Sequence, residues 1–109
     1  MATTYKVLGQ TNPSAATATT AYTVPSATQT VVSTIAVANI GSAPATYRIA
    51  VRPAGESLAS KHYLVYDSSV APQSTDTLTL GVTLGATDVV TVYASSATMA
   101  FNLFGSEIA

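Results

Sequence analysis

Apolar and polar residues alternate with a period of two over most of this chain. In ATYRIAVRP, Tyr47, Ile49 and Val51 fall on one side, and Arg48, Ala50 and Arg52 on the other. DVVTVYAS and ATMAFNLFG alternate in the same way, and TDTLTLGVTL sets Leu78, Leu80, Val82 and Leu84 against Thr77, Thr79 and Thr83. Side chains along a strand point to opposite faces in turn, so alternation over stretches this short predicts half-buried strands. Thr, Val and Tyr reinforce the prediction, because branched and aromatic side chains suit a pleated surface.

The pattern predicts strands near residues 3–9, 19–24, 29–40, 45–53, 61–67, 74–82, 87–95 and 97–105. Turn residues separate them: Asn12-Pro13-Ser14, Pro25-Ser26, Asn39-Ile40-Gly41-Ser42, Pro53-Ala54-Gly55, Ala71-Pro72 and Gly85. No helix start signal is followed by a period of 3.6. Thr11 to Thr20 (TNPSAATATT) is the stretch weakest in structure, expected as a loop or a loosely held edge. Seven or eight strands at roughly ten-residue spacing predict an all-β fold. The expectation is a single antiparallel β-sandwich over residues 1–109, Ig-like or jelly-roll in connectivity, with 1–20 as an arm or edge strand. Residues 74–82 and 87–95 resemble each other, but two similar strands explain that without a repeat architecture, which needs at least three units.

The last strand carries both phenylalanines. Met99, Phe101 and Leu103 share the phase that faces the core, while Phe104 falls beside Ala100 and Asn102 on the opposite phase. Phe104 is therefore expected to be covered by the N-terminal segment around Tyr5 or by a neighbouring chain.

Composition narrows the function. Hydrophobic residues make up 48% of the chain but charged ones only 8%, with a formal net charge of −1, where roughly 25% charged is usual. Thr, Ser and Ala fill the difference. Lys6, Arg48, Arg52 and Lys61 are all the fixed positive charge, too little for a phosphate-binding patch, so nucleic acid is not an expected partner. There is no cysteine, hence no disulfide framework and no thiolate metal site. MATTYKVLGQ has no basic head followed by an apolar run, and no segment approaches a membrane span, so a cytosolic product without membrane association is expected.

Chemical motifs are sparse. His62 is the only histidine; it alternates with Tyr63 in an expected strand and is read as a surface or rim residue. Ser57, Ser60, Glu56 and Asp67 could partner it in a hydrolase, but abundant hydroxyls are better explained as polar strand faces. Asp67, Asp76 and Asp88 are scattered, and Glu56 and Glu107 stand alone, without the spacing of a calcium loop. No metal, no cofactor and no catalytic residue is expected. Asp76 and Asp88 each follow Thr before a strand, where a carboxylate commonly bonds turn backbone. Arg48 and Arg52 share a face about 13 Å apart, at roughly 3.3 Å per residue. They are solubilising charges or, as candidate interface residues, anchors for carboxylates on a partner chain. Tyr47, Tyr63, Tyr66 and Tyr93 could form an aromatic platform for carbohydrate, or pack in the core or its rim.

A face of Ala, Ser and Thr is easily covered by another protein, because small side chains lose little entropy on burial, against up to ~2 kcal/mol for Lys, Arg or Glu. Low charge also weakens repulsion between copies. Both features point to a subunit packed against neighbours.

The motifs Y-T-V-P-S at 22–26, V-A-N-I-G-S at 37–42, T-Y-R-I-A-V-R at 46–52, L-G-A-T-D-V-V at 84–90 and F-N-L-F-G-S-E at 101–107 complete the reading. From Ala21 onward the chain resembles small virion structural proteins of tailed bacteriophages, of the type found in phages of marine bacteria and cyanobacteria. The resemblance implies a non-enzymatic particle component, assembled in the host cytoplasm and located in the virion. A capsid cement, or decoration, protein bridging coat subunits is the leading expectation, with a homo-oligomer, a trimer at three-fold positions, as the natural arrangement. A neck, tail or fibre component and a carbohydrate-binding attachment module are the alternatives. Arg48, Arg52, Tyr5 and Phe104 are the candidate interface residues toward coat protein or other virion proteins.

Overall fold

A computed structural model describes residues 2–109. Its strands are β1 (Thr3–Thr11), β2 (Thr19–Thr23), β3 (Gln29–Asn39), β4 (Ala45–Arg52), β5 (Tyr63–Val70), β6 (Ser74–Leu78), β7 (Val82–Leu84), β8 (Val89–Ala94) and β9 (Met99–Ile108). In sheet I the order is β1-β9-β3-β6, with β7 also paired to β3; in sheet II it is β2-β8-β4-β5. Every pairing is antiparallel.

The pairings are nested. β4 pairs with β5, β3 with β6 and β7, β2 with β8, and β1 with β9. At the outer end, Ala2 and Ala109 exchange both backbone hydrogen bonds, at 2.8 and 2.9 Å. Two further ladders, β9 to β3 and β8 to β4, join the four pairs side by side into the two sheets. With β6 and β7 counted as one interrupted strand, this is the eight-strand jelly-roll order rather than the Ig-like one.

The alternation seen in the sequence is the cause of the layering. Val32, Ile35 and Val37 of β3 and Met99, Phe101 and Leu103 of β9 face Tyr47 and Ile49 of β4 and Val90 and Val92 of β8, and all are fully buried. The Tyr47 ring stands edge-on to Phe101, with centroids 6.1 Å apart, a geometry in which the positive ring edge meets the negative face. At one end of the core, Asn39 is buried with every polar atom used. Its Nδ2 donates to the carbonyls of Ala43 and Val70, and its Oδ1 accepts from the Gly41 amide and the Thr98 hydroxyl. One side chain thus ties the β3–β4 turn to the start of β9 and the end of β5.

Some expectations change. The strand foreseen over 74–82 breaks into β6 and β7, with Leu80 exposed and Gly81 at φ +64°, a conformation glycine adopts without strain. Asp88 does bond local turn backbone, accepting from the amides of Gly85 and Ala54, whereas Asp76 accepts from the Tyr47 hydroxyl at 3.1 Å. Tyr47 lies in the core and is no part of an outer aromatic surface. His62 is not a surface strand residue: it ends a 3-10 turn, Ser60–His62, and is only 5% exposed. The strand pattern misplaced it because residues 53–62 leave β4 and fold back over sheet II before β5 begins.

Candidate interaction surfaces

The outward phase of β4 carries Arg48, Ala50 and Arg52, opposite Tyr93, Thr91 and Val89 of β8. Beside Arg48 the β5 strand is bulged. Tyr47 pairs with Ser68 and Ile49 with Val65, so Tyr66 and Asp67 both oppose the single residue Arg48. A bulge of this kind re-aims side chains, and here Asp67 adopts a left-handed φ of +54°. Its carboxylate accepts from Arg48 Nε at 2.7 Å and from the second guanidinium nitrogen at 3.3 Å. The guanidinium carbon lies 4.2 Å from the ring centres of both Tyr66 and Tyr93. Tyr63 then meets Tyr66 edge-on at 4.9 Å. Arg48 beside Asp67 holds that carboxyl below its ordinary pKa.

Next to this cluster, residues 53–62 roof part of sheet II, so that Ala50, Thr91 and Val89 are buried although they face outward. Two side chains hold the roof. Arg52 donates to the Thr91 hydroxyl and to the carbonyls of Gly55 and Glu56. His62 Nδ1 accepts from the Ala59 amide at 3.0 Å, which leaves its proton on Nε2, 3.1 Å from Glu56 Oε1. That bond, with Lys61 second, lowers the Glu56 pKa. Both ring nitrogens are occupied, and neither Ser57 nor Ser60 is a partner, so the geometry fastens a loop and presents no nucleophile to a base. Among the described residues no three His, Cys, Asp or Glu side chains come together as a metal site.

The outer face of sheet I is different in kind. Tyr5 and Val7 of β1, Phe104 and Ile108 of β9, and Val31, Ala36 and Ala38 of β3 share it with Thr, Ser, Asn and Gln. Among the described residues it carries no charged side chain. Phe104 pairs with Val7 on one side and Thr34 on the other and stays 37% exposed. Tyr5 pairs with Ser106, further along β1, and is 84% exposed. The N-terminal strand therefore flanks Phe104 without Tyr5 covering it. β1 is also a free sheet edge.

Where the charges went explains the contrast. Lys6, on the opposite phase of β1, pairs with Glu107 at 3.4 Å, Arg48 with Asp67 at 2.7 Å and Lys61 with Glu56 at 3.6 Å. Glu107 turns inward and accepts from the Tyr22 hydroxyl, which also bonds Thr30. That bond keeps Glu107 below the usual carboxylate range, while burial, then Glu107, pushes the Tyr22 phenol up to about 12. Of the four interface candidates, Tyr5 and Phe104 lie on sheet I, and Arg48 and Arg52 on sheet II with two guanidinium nitrogens of each bonded inside the chain. Sequence reasoning placed the two arginines on one face, but the bulge that brings Asp67 onto Arg48 left no mark in the alternation. The absence of charge from one whole face emerges only once strand order is known. No family model, no curated protein and no solved structure matches the chain.

Proposed function

We propose that this protein is a structural subunit of a tailed-phage particle, a cement protein that lies on the capsid and bridges coat subunits. The observation that supports it is the charge-free outer face of sheet I. Covering a charged coat would cost desolvation and side-chain entropy; covering Thr, Ala, Val and Phe costs little of either. At strand spacings of ~4.8 Å and a rise of ~3.4 Å per residue, the face presents roughly 600 Å². That is less than the ~800 Å² per partner of a typical stable interface. A subunit with such a face holds best when many copies bind a repeating lattice, or when one oligomer engages several coat subunits and gains effective concentration. A trimer at three-fold positions meets that requirement. The jelly-roll, with both arginines bonded largely within the chain, suits a passive clamp.

Quantitative mass spectrometry of purified virions tests the reading. Hundreds of copies per particle are expected, with capsid density in cryo-EM. A few tens of copies, with density confined to neck, tail or fibre, would replace cement by the axial alternative. The double variant Val7→Ser, Phe104→Ser should fold normally and be lost from particles; full incorporation would remove sheet I as the docking face.

A further inference from the structure

The outer face of sheet II holds a second feature, and it does not depend on the particle reading. Tyr63, Tyr66, Leu58, Ala59 and Ser60 line an open groove of about 530 Å³. A more enclosed hollow of about 260 Å³ adjoins it, sharing Leu58 and Tyr63 and reaching Arg48, Thr91 and Tyr93. We propose that this groove is a binding site for neutral saccharides, in which Tyr63 and Tyr66 stack on sugar rings and the tyrosine hydroxyls bond sugar hydroxyls.

Three properties support this ligand class. The first is rigidity. Tyr66 is held by the bulge, by the guanidinium 4.2 Å from its ring and by Tyr63 edge-on at 4.9 Å. Aromatic rings fixed before binding have little freedom left to lose, which is where weak ligands otherwise forfeit affinity. The second is mixed polarity. Tyrosine rings and Leu58 offer apolar walls, while Tyr63, Tyr66, Tyr93 and Ser60 bring hydroxyls to the same lining. A wholly apolar ligand would strip these groups of water and return nothing. A sugar has an apolar C–H face and a rim of hydroxyls, and so meets both.

The third property is charge. Among the described residues Arg48 is the one cation lining the groove or its adjoining hollow, and Asp67 accepts from two of its three guanidinium nitrogens. Lys61, nearby on the loop, is paired with Glu56. A sulfated, sialylated or phosphorylated ligand would have to displace a carboxylate from a stacked guanidinium. A neutral one leaves the pair intact. The volume falls within the roughly 300–1,000 Å³ usual for small-ligand sites, enough for a short oligosaccharide along the groove.

The test uses the intact chain on an array of neutral and acidic glycans, followed by saturation-transfer NMR with the neutral disaccharides maltose, cellobiose and lactose. Binding to one or more neutral glycans is expected, with saturation of the tyrosine ring protons passing to the sugar C–H protons. Tyr66→Ala should weaken that binding by about two- to ten-fold, the scale of one lost stacking contact. Tyr66→Phe should retain most of it, and Phe104→Ser, on the opposite sheet, all of it. Tyr66 is 60% exposed, so its truncation leaves the core intact, which circular dichroism checks. No neutral glycan bound at millimolar concentration, binding confined to acidic glycans, binding indifferent to Tyr66→Ala, or capture of a protein partner by this groove in place of glycan each overturns the proposal. None of these outcomes bears on whether sheet I docks on a capsid.

Discussion

Replacing Asn39 by alanine removes four hydrogen bonds at once, and their loss can be estimated group by group. The Val70 carbonyl is the buried partner, bonded at 3.1 Å; left without a donor it costs ~1–3 kcal/mol. The Ala43 carbonyl and the Gly41 amide lie nearer the surface, where water restores part of each bond, leaving about 0.5–1 kcal/mol apiece. Thr98 loses least, because its hydroxyl keeps a bond to Ser96 at 3.0 Å. The total is about 2–5 kcal/mol, a large share of the ~5–15 kcal/mol that stabilises a domain of this size. At roughly 4–8 °C per kcal/mol for a small domain, the melting temperature should fall by about 10–40 °C. Urea titration followed by tyrosine fluorescence and circular dichroism measures it, since tyrosine is the reporter in a chain without tryptophan. Asn39→Asp sharpens the test. It keeps both accepting functions but turns a carboxylate oxygen toward two carbonyls, so at neutral pH it should be less stable than Asn39→Ala. Burial raises such a carboxyl's pKa, and once protonated it regains one donor, so this variant alone should gain stability as the pH is lowered toward about 5. A loss below ~0.5 kcal/mol for Asn39→Ala, or an Asn39→Asp variant that only weakens on acidification, would refute the idea that this side chain holds the end of the sandwich.

Three other outcomes follow from the geometry. Glu56, Asp67 and Glu107 sit below their ordinary pKa values of 4.5, 3.8 and 4.5 through His62, Arg48 and Tyr22 respectively. The unfolded chain therefore binds more protons in that range, so stability is complete above about pH 5 and falls as the pH drops through 4.5 and lower; equal urea midpoints at about pH 7 and pH 3 would contradict this. A Cβ on Gly105 would stand 1.9 Å from the Val31 carbonyl oxygen, and one on Gly9 2.2 Å from that of Ala21, both backbone atoms. Either glycine changed to alanine should cost more than ~3 kcal/mol or abolish folding, whereas Gly81→Ala, with open space but φ +64°, should cost only ~1 kcal/mol, a ranking that thermal melts can reverse. Ala27 and Ala54 occupy left-handed turns at φ +54° and +53°, so Ala27→Gly and Ala54→Gly should each gain about 0.5–1 kcal/mol in spite of glycine's entropy; two losses in calorimetry would count against it.

Most strands were legible because a period of two records which face each residue takes. The stretches around Ile35, Ile49, Val92 and Phe101 read correctly for that reason. Connectivity was not legible: Thr3 pairs with Ile108 and Thr19 with Val92, and alternation says nothing about which distant strand lies alongside. Bulges were missed at Leu8, Ser33 and Leu64, since an extra residue shifts the phase without altering composition. His62 was misread because Ser60-Lys61-His62 continues the alternation of β5 while its backbone turns away to bury the imidazole. The two arginines were correctly assigned to one face, but the fate of their charge depended on a left-handed Asp67 in a neighbouring strand. Of the proposed surfaces, sequence supplied the residue types; only strand order collected Tyr5, Val7 and Phe104 on one side and Tyr63, Tyr66 and Tyr93 on the other.

The outermost pair in the nested ladder has a covalent implication. Ala2 and Ala109 exchange both backbone hydrogen bonds, the arrangement that flanks a two-residue turn in an ordinary hairpin. A peptide link of two residues, such as Asn-Gly, from Ala109 back to Ala2 would make the backbone a ring while leaving every strand pairing in place. Ring closure over a chain of about a hundred residues removes unfolded-state entropy worth ~4–5 kcal/mol in the loop-closure picture. The ring could then be reopened at the Gly81 break, giving a permuted chain whose ends lie on the far side of sheet I from β1. In covalent terms β9 and β1 are a hairpin that lacks only its turn.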